Sequence, residues 1–383
     1  MSQKSRRETP IKIAGAGPSG LAAAITLAKA GHEVEIFEAR PAVGARFIGD
    51  FQVIENMSRP EDAAEMLKRF GLETNFFFQP VSGALFFDYR LRSQSVQSRR
   101  PFGYFIRRGP DGDTLDRGLL AQALAAGAKI HYEKRIKPEE ADIVATGPAV
   151  PDGLAKEITF STSLPETVWV IFDMNLSPGG YAYLFVLNGR ATLGCAITRD
   201  LGRINDYFGR AVSRFQEITP FQIESPKTGY SFMNFALKGS AEVDRRLIVG
   251  EAGGFQDYLF GLGLRYALTT GFAAAQSLIR QESYDRLWKE AIGPAQEISL
   301  VNRYLYERGG NRGLSTFIRL AGRGDVQDYL SGWHADRWWK RLLLPVIKRT
   351  WREGKRCTHR LPLHWCRKKP KNLAHPELGP SKS

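Results

Sequence analysis

The sequence predicts an α/β fold: a βαβ unit with a glycine-rich turn, an inserted antiparallel β-sheet and a basic, helical C-terminal region. Three observations carry it. GAGPSG sits between an apolar strand and a helix of small residues. Farther on, β-branched and aromatic runs are broken by Pro-Gly-Gly and Asn-Gly-Arg. From Ser331 onward, 14 Lys and Arg face three Asp and Glu, a net of +11 out of +14 for all 383 residues.

The first unit opens with a strand over 11–14, continues through the glycine turn into a helix over 21–30, stops at Gly31 and returns as a strand over 33–37 that ends at Glu38. Each glycine answers a steric demand. Gly15 permits the tight turn, Gly17 lets the backbone approach a pyrophosphate, and Gly20 lets the helix pack close to the strand. Pro18 and Ser19 lead through the turn into the helix, whose free amides and positive dipole end favour phosphate. Glu38, followed by Ala39 and Arg40, stands where an acid accepts hydrogen bonds from ribose hydroxyls. A chance glycine turn would not bring both strands, the helix and the terminal acid with it, so an adenine dinucleotide is expected, with Arg46 close by. FAD is favoured over NAD by the two segments described next.

ADIVATGP, over 141–148, reads as a strand returning to the nucleotide site, ending at Thr146 and Gly147. LIVGEAGGFQDYLFGLGLRYALTTG, over 247–271, reads as a buried strand closed by Gly250 and Glu251, then Gly261, Leu262 and Gly263 opening a helix through 279. Its first amides would face a pyrophosphate or a flavin edge. These segments, with GAGPSG and Glu38, resemble the FAD-dependent oxidoreductases of the p-hydroxybenzoate hydroxylase fold, and within them the geranylgeranyl reductase family, over roughly 11–281.

The resemblance implies a Rossmann-type FAD-binding domain with an inserted antiparallel β-sheet substrate domain. It divides the chain into FAD-binding segments 1–75, 101–150 and 241–290, substrate segments 76–100 and 151–240, and a helical basic region 291–383. The implied activity is reduction of carbon–carbon double bonds of a polyprenyl lipid by hydride from reduced flavin. No second dinucleotide fingerprint is present, so electrons would come from docked NAD(P)H or a ferredoxin-type donor. The family's Tyr-x-Trp-x-Phe-Pro-Lys motif corresponds here to Tyr181, Ala182, Tyr183, Leu184, Phe185, Val186 and Leu187, which keeps the aromatic frame without Trp, Pro and Lys. The family's Cys-Gly-Glu is replaced by Ile48, Gly49 and Asp50. Candidate proton donors are therefore Tyr181 and Tyr183, then Asp50, Asp257 and Tyr258. Phe185, Phe232 and Tyr258 are expected against substrate. Aromatic clusters at 76–78, 86–87, 221, 230, 232 and 235 suit either an apolar pocket or core packing.

Two rivals share the fold. A flavin monooxygenase would hydroxylate or epoxidise an apolar substrate, but such enzymes usually end the returning strand with Asp-Gly where this chain has Thr146 and Gly147. A flavin-binding protein without catalysis would explain the lost motif residues.

In the tail, the stretch 334–356 interleaves Trp, Leu and Ile with Lys and Arg. Docking to an anionic membrane surface is expected, with packing against the body as the rival and nucleic acid disfavoured. Pro345 is expected to split this stretch into two short helices. Cys357, His359, His364 and Cys366 match no common zinc spacing, so no metal is expected. Three cysteines, a mean hydropathy below zero, no apolar run near ~20 residues and a polar first stretch suggest a cytoplasmic protein, peripheral at the membrane's inner face.

Overall fold

The computed structural model describes residues 9–148, 152–235, 237, 239–349, 351–353 and 365–367. A six-stranded sheet forms the nucleotide layer, in the spatial order Glu242–Val243, Arg246–Ile248, Ile143–Val144, Ile11–Ala14, Val34–Phe37 and Lys129–His131. All neighbours are parallel except the edge pair at Glu242–Val243. The strands are apolar because helices cover them: Ile11, Ile13, Val34, Ile36 and Ile143 are buried with the helix residues Leu21, Ile25 and Leu268.

Helix Pro18–Lys29 begins with Gly17 as its cap and Pro18 in the first turn, where a missing N–H costs nothing. It packs along Leu264–Arg280 at a separation only glycine allows, since a Cβ on Gly271 would overlap the Ser19 carbonyl oxygen. The helix expected through 279 thus runs from 264 to 280.

A seven-stranded sheet forms the second layer. Its order is Glu224–Met233, Gly153–Ser161, Arg190–Ile197, Tyr181–Leu187, Thr167–Phe172, Gly83–Asp88 and Ser93–Gln97. Only the pair Thr167–Phe172 with Gly83–Asp88 is parallel. Asn188 and Gly189 take positive φ of 50° and 70°, the left-handed pair that closes a two-residue hairpin with the sheet's own twist. Alternation then sorts the side chains. Leu154, Ile158, Ala182, Leu184, Leu193 and Cys195 face helix Ile204–Ile218, while Ala155, Glu157, Tyr181, Tyr183 and Phe185 face the opposite way. A small sheet of Phe51–Glu55, Gly103–Arg107 and Phe78–Val81 stands beside the junction.

The helical region comprises Tyr284–Ala321, broken at Gly310, then Val326–His334 and Trp338–Lys348. The expected break at Pro345 does not occur: Pro345 lies inside one helix, and the chain turns earlier, at 335–337. The missing N–H leaves only the Arg341 carbonyl unpaired within the helix, Pro345 faces solvent, and Leu344 and Ile347 are buried against Leu300 and Val301.

His334 ties this region to the nucleotide layer. Its Nδ1 lies 2.9 Å from the Leu330 carbonyl and its Nε2 lies 3.1 Å from Asp257 Oδ1, so both nitrogens face acceptors, an arrangement that favours the imidazolium form. Burial works against the charge, but Asp257, and more weakly Glu55, push the His334 pKa above the ordinary value. A raised pKa adds stability that is complete below about pH 6.5 and fades as pH rises through the raised value. The melting-temperature loss of His334→Gln is therefore expected to be larger at about pH 6 than at about pH 10.

Candidate functional site

A cleft of about 630 Å³ opens between the strand ends of the nucleotide layer and the second sheet. Its nucleotide side is built from consecutive strand ends: Gly15, Gly17, Pro18 and Ser19 after the first, Glu38, Ala39 and Arg40 after the second, Thr146 and Gly147 after the returning strand, and Glu251 after the last. Gly15 has φ of +103°. A Cβ on Gly20 would overlap the Gly15 carbonyl oxygen, whereas one on Gly17 would meet nothing within 4 Å. Gly17 is thus free of packing on the protein side and open on the cleft side, as close backbone approach by a pyrophosphate requires. Glu38 holds the turn: Oε2 accepts from the Ala16 N–H and Oε1 from the Arg40 N–H, both at 2.9 Å.

Arg46 and Glu251 meet across the cleft at 3.0 Å, and Arg46 also lies over the Phe47 ring. Gly261, Leu262 and Gly263 line the wall at the start of helix Leu264–Arg280. Behind Phe47 sits a buried ion pair: Arg108 donates to both oxygens of Asp116 at 2.8 and 2.9 Å, and Asp116 also accepts from the Gly109 N–H at 3.0 Å.

The second sheet supplies Tyr181, Tyr183 and Phe185, with Phe260 from the glycine-rich loop. Phe232, expected against substrate, stands opposite Leu154 on its strand and packs with the cluster under helix Ile204–Ile218, because strand alternation turns its neighbour Ser231 toward the cleft instead. Tyr181 spends its hydroxyl on the Phe260 carbonyl at 2.8 Å, and burial raises its pKa strongly. Tyr183 donates to Glu157 Oε1 at 2.6 Å, and Ser231 donates to Glu157 Oε2 at 2.9 Å. Burial, reinforced by the Asp50 charge, pushes the Glu157 pKa up to about 8, while the hydrogen bonds from Tyr183 and Ser231 pull the other way. Burial also raises Asp50, against hydrogen bonds from Gln52 and Ile48 and the Arg108 charge.

The structure gathers most residues singled out in the sequence onto one cleft, but Gly20, Asp50, Gly250, Asp257 and Tyr258 are not on its lining. Gly20 and Gly250 act through packing rather than on the lining; Gly250 has φ of +57°, and a Cβ there would fall 2.5 Å from Ser19 Oγ. Tyr258, expected against substrate, is 1% exposed in the core behind the cleft, where it packs on Phe235 and accepts from Gln296 at 3.3 Å. The loop from 250 to 263 turns its Phe260 side, not its Tyr258 side, toward the opening. Asp257 is committed to His334 and the Phe260 N–H. Of the aromatic clusters, Phe76, Phe86 and Phe235 are core, and Tyr230 is 39% exposed. Glu157 was not among the expected site residues. Cys357, His359 and His364 lie outside the described residues, as does the side chain of Cys366; no cluster able to hold a metal occurs among the described residues.

Comparison with known proteins agrees with this geometry. A family described as NAD(P)-binding Rossmann-like domain matches residues 13–49. An L-amino-acid oxidase of Sistrurus catenatus edwardsii is 37% identical over 98 residues, 23% of this chain and 19% of the relative, so the chain spans about a fifth of that protein's length. The digeranylgeranylglycerophospholipid reductase of Methanospirillum hungatei is 22% identical over 85% of this chain and 92% of its own. Among solved structures, a geranylgeranyl bacteriochlorophyll reductase-like protein of Thermoplasma acidophilum superposes with a TM-score of 0.69 at 17% identity, covering 88% of this chain and 98% of that one. A flavin-dependent brominase reaches 0.59 at 14% identity, covering 88% and 98%. The fold is that of the FAD-dependent oxidoreductases, and FAD is the cofactor for which the open glycine at 17, the free helix amides and the strand-end acids fit. Over most of its length the chain resembles the geranylgeranyl reductases among these proteins. No helix among the described residues is long and apolar enough to cross a membrane.

Proposed function

We propose that this chain is a FAD-dependent reductase that saturates carbon–carbon double bonds of a geranylgeranyl-type polyprenyl lipid. The observation that carries the reading is the cleft's second wall: Tyr181, Tyr183, Phe185 and Phe260 offer an aromatic surface to a long apolar chain beside the place FAD would occupy. Similarity to a polyprenyl-lipid reductase along most of both chains supports it. Reduced flavin supplies hydride when bound; the chain's residues orient the lipid, exclude water and provide the second hydrogen as a proton. Phe185 holds the substrate, and Tyr183 faces the reacting carbons, with Tyr181 fixing the wall against the cofactor loop. NAD(P)H or a ferredoxin-type protein recharges the flavin.

The test is anaerobic. Photoreduced flavoprotein is mixed with a geranylgeranyl lipid, and flavin reoxidation is followed with the product mass. Reoxidation with two hydrogens gained per bond is expected. Reoxidation only when oxygen enters would overturn this reading and leave the monooxygenase, the flavin-binding protein without catalysis, or a different substrate.

The helix Trp338–Lys348 supports membrane docking by the same protein. Trp338, Leu342 and Val346 recur every fourth residue on its outer face and are 76%, 68% and 54% exposed, next to the basic tail. Sedimentation with anionic vesicles is expected for the full chain and lost in Trp338→Glu/Leu342→Glu, with binding to neutral vesicles weak in both.

A further inference from the structure

We propose that Glu157 is the proton source of the cleft, working through the hydroxyl of Tyr183. The proposal rests on the double-bond reduction proposed above and names the acid that reaction needs.

The arrangement comes from sheet register. Glu157 stands opposite Gly194 on one neighbouring strand and opposite Gly229 on the other. Tyr183, one strand farther, also pairs with Gly194. The two side chains thus belong to strands about 10 Å apart, with a bare backbone between them. A Cβ at Gly194 would run into the Tyr183 ring. Its absence lets the ring lie across the middle strand and its hydroxyl reach Glu157 Oε1 at 2.6 Å. Ser231, from the outer strand, closes the other oxygen at 2.9 Å. Glu157 is 4% exposed, yet it and Tyr183 both line the cleft, so the pair is shielded from bulk water while facing the substrate space. A buried carboxyl aimed at a ligand cleft through a tyrosine is more than packing requires.

The surrounding charges favour the neutral acid. Asp50, in the position where the resembling reductases carry glutamate, is a second buried carboxyl whose charge opposes ionisation of Glu157, and the Arg46 charge favours ionisation only weakly. Arg108 is committed to Asp116, and Tyr181 to the Phe260 carbonyl. Burial and the neighbouring Glu157 raise Tyr183 well above its ordinary pKa, so it stays a neutral donor.

The step balances as follows. One carbon of the double bond receives the hydride; the π electrons form a C–H bond at the other carbon with the Tyr183 proton. In the protonated pair the 2.6 Å contact runs from the Glu157 O–H to the Tyr183 oxygen, which leaves the Tyr183 proton free for the cleft; as that proton leaves, the Tyr183 oxygen takes the proton of Glu157, which ends as a carboxylate accepting from Tyr183 and Ser231. Solvent returns one proton to Glu157, so each turnover consumes one hydride and one proton.

The first test needs neither lipid nor flavin. Infrared titration of the apoprotein is expected to show a protonated carboxyl at pH 7 that ionises near pH 8 and is absent in Glu157→Gln. In the anaerobic assay, Glu157→Gln and Tyr183→Phe should each keep FAD and slow lipid-driven reoxidation by about 100-fold or more, the usual worth of a general acid. The double variant should be no slower than either single one, because they serve one path. The wild-type rate should fall as pH rises through about 8, and Glu157→Gln should lose that dependence. Tyr183→Phe breaks the path with the carboxyl in place, which guards against a folding defect in Glu157→Gln. Wild-type reoxidation rates in Glu157→Gln, or no Glu157 carboxyl signal at pH 7, would overturn the proposal. If wild type reduces no lipid, the function proposed above fails, and the infrared titration alone decides whether Glu157 is a neutral acid at the cleft.

Discussion

Purified Gly17→Val protein is expected to fold like wild type and to carry no FAD. Gly17 has φ of −76°, which valine adopts without strain, and its Cβ would project into space free of protein atoms. Unfolding of the apoprotein should therefore change by no more than about 0.5 kcal/mol, as for other unpacked surface positions. The same open space is where the backbone must meet the pyrophosphate, and a branched side chain blocks it. Excess FAD at 100 times its dissociation constant stabilises a binding protein by about 2.7 kcal/mol, so wild type should gain that much and the variant nothing. Gly20→Ala is the control with the opposite profile: its methyl overlaps the Gly15 carbonyl, so the apoprotein itself should be weakened. Normal flavin content in Gly17→Val would remove the cofactor assignment from this turn.

Arg108→Met should cost the most stability of any substitution around the cleft, about 3–5 kcal/mol, because it strips a buried carboxylate of its cation. Asp116 is fully buried, and without Arg108 it keeps only the Gly109 N–H and an uncompensated charge. The guanidinium also lies 4.0 Å from the centre of the Phe47 ring, so the cleft wall loses a support as well. The urea midpoint should fall accordingly. Arg108→Met/Asp116→Leu should recover much of the loss, since removing both charges removes the unpaired one. An unchanged midpoint in the single variant would overturn the assignment of Arg108 and Asp116 as a stabilising buried ion pair.

The nucleotide half was readable because its determinants are local. The turn at Gly15, the cap at Gly17 and the acid at Glu38 lie within 24 residues, each with a steric or electrostatic reason visible in the chain. The second sheet was readable as hairpins through Asn188 and Gly189, but its chemistry was not. Alternation assigns Ala155 and Glu157 to the face opposite Leu154 and Ile158, yet nothing nearby in sequence says whether that face meets water or a cleft. The cover comes from Asp50 and Arg46, more than 100 positions earlier, so Glu157 read as an ordinary polar residue of a half-exposed strand. Tyr258 failed for a related reason: a glycine-rich loop has no fixed period, and which of its aromatics faces inward depends on the helix holding Gln296. Pro345 was overestimated as a breaker because one lost hydrogen bond competes with the buried side chains of Leu344 and Ile347.

The alternation of strand Gly153–Ser161 has a consequence for how this protein can change over time. One inserted or deleted residue before Glu157 would turn the acid toward helix Ile204–Ile218 and bring Lys156 or Ile158 to the cleft, with the pairing to Gly194 displaced as well. Point substitutions on that strand are graded events, whereas length changes exchange the two faces at once. Drift in length should therefore collect in the connections, while the five central strands of the sheet keep their residue count even where their side chains diverge.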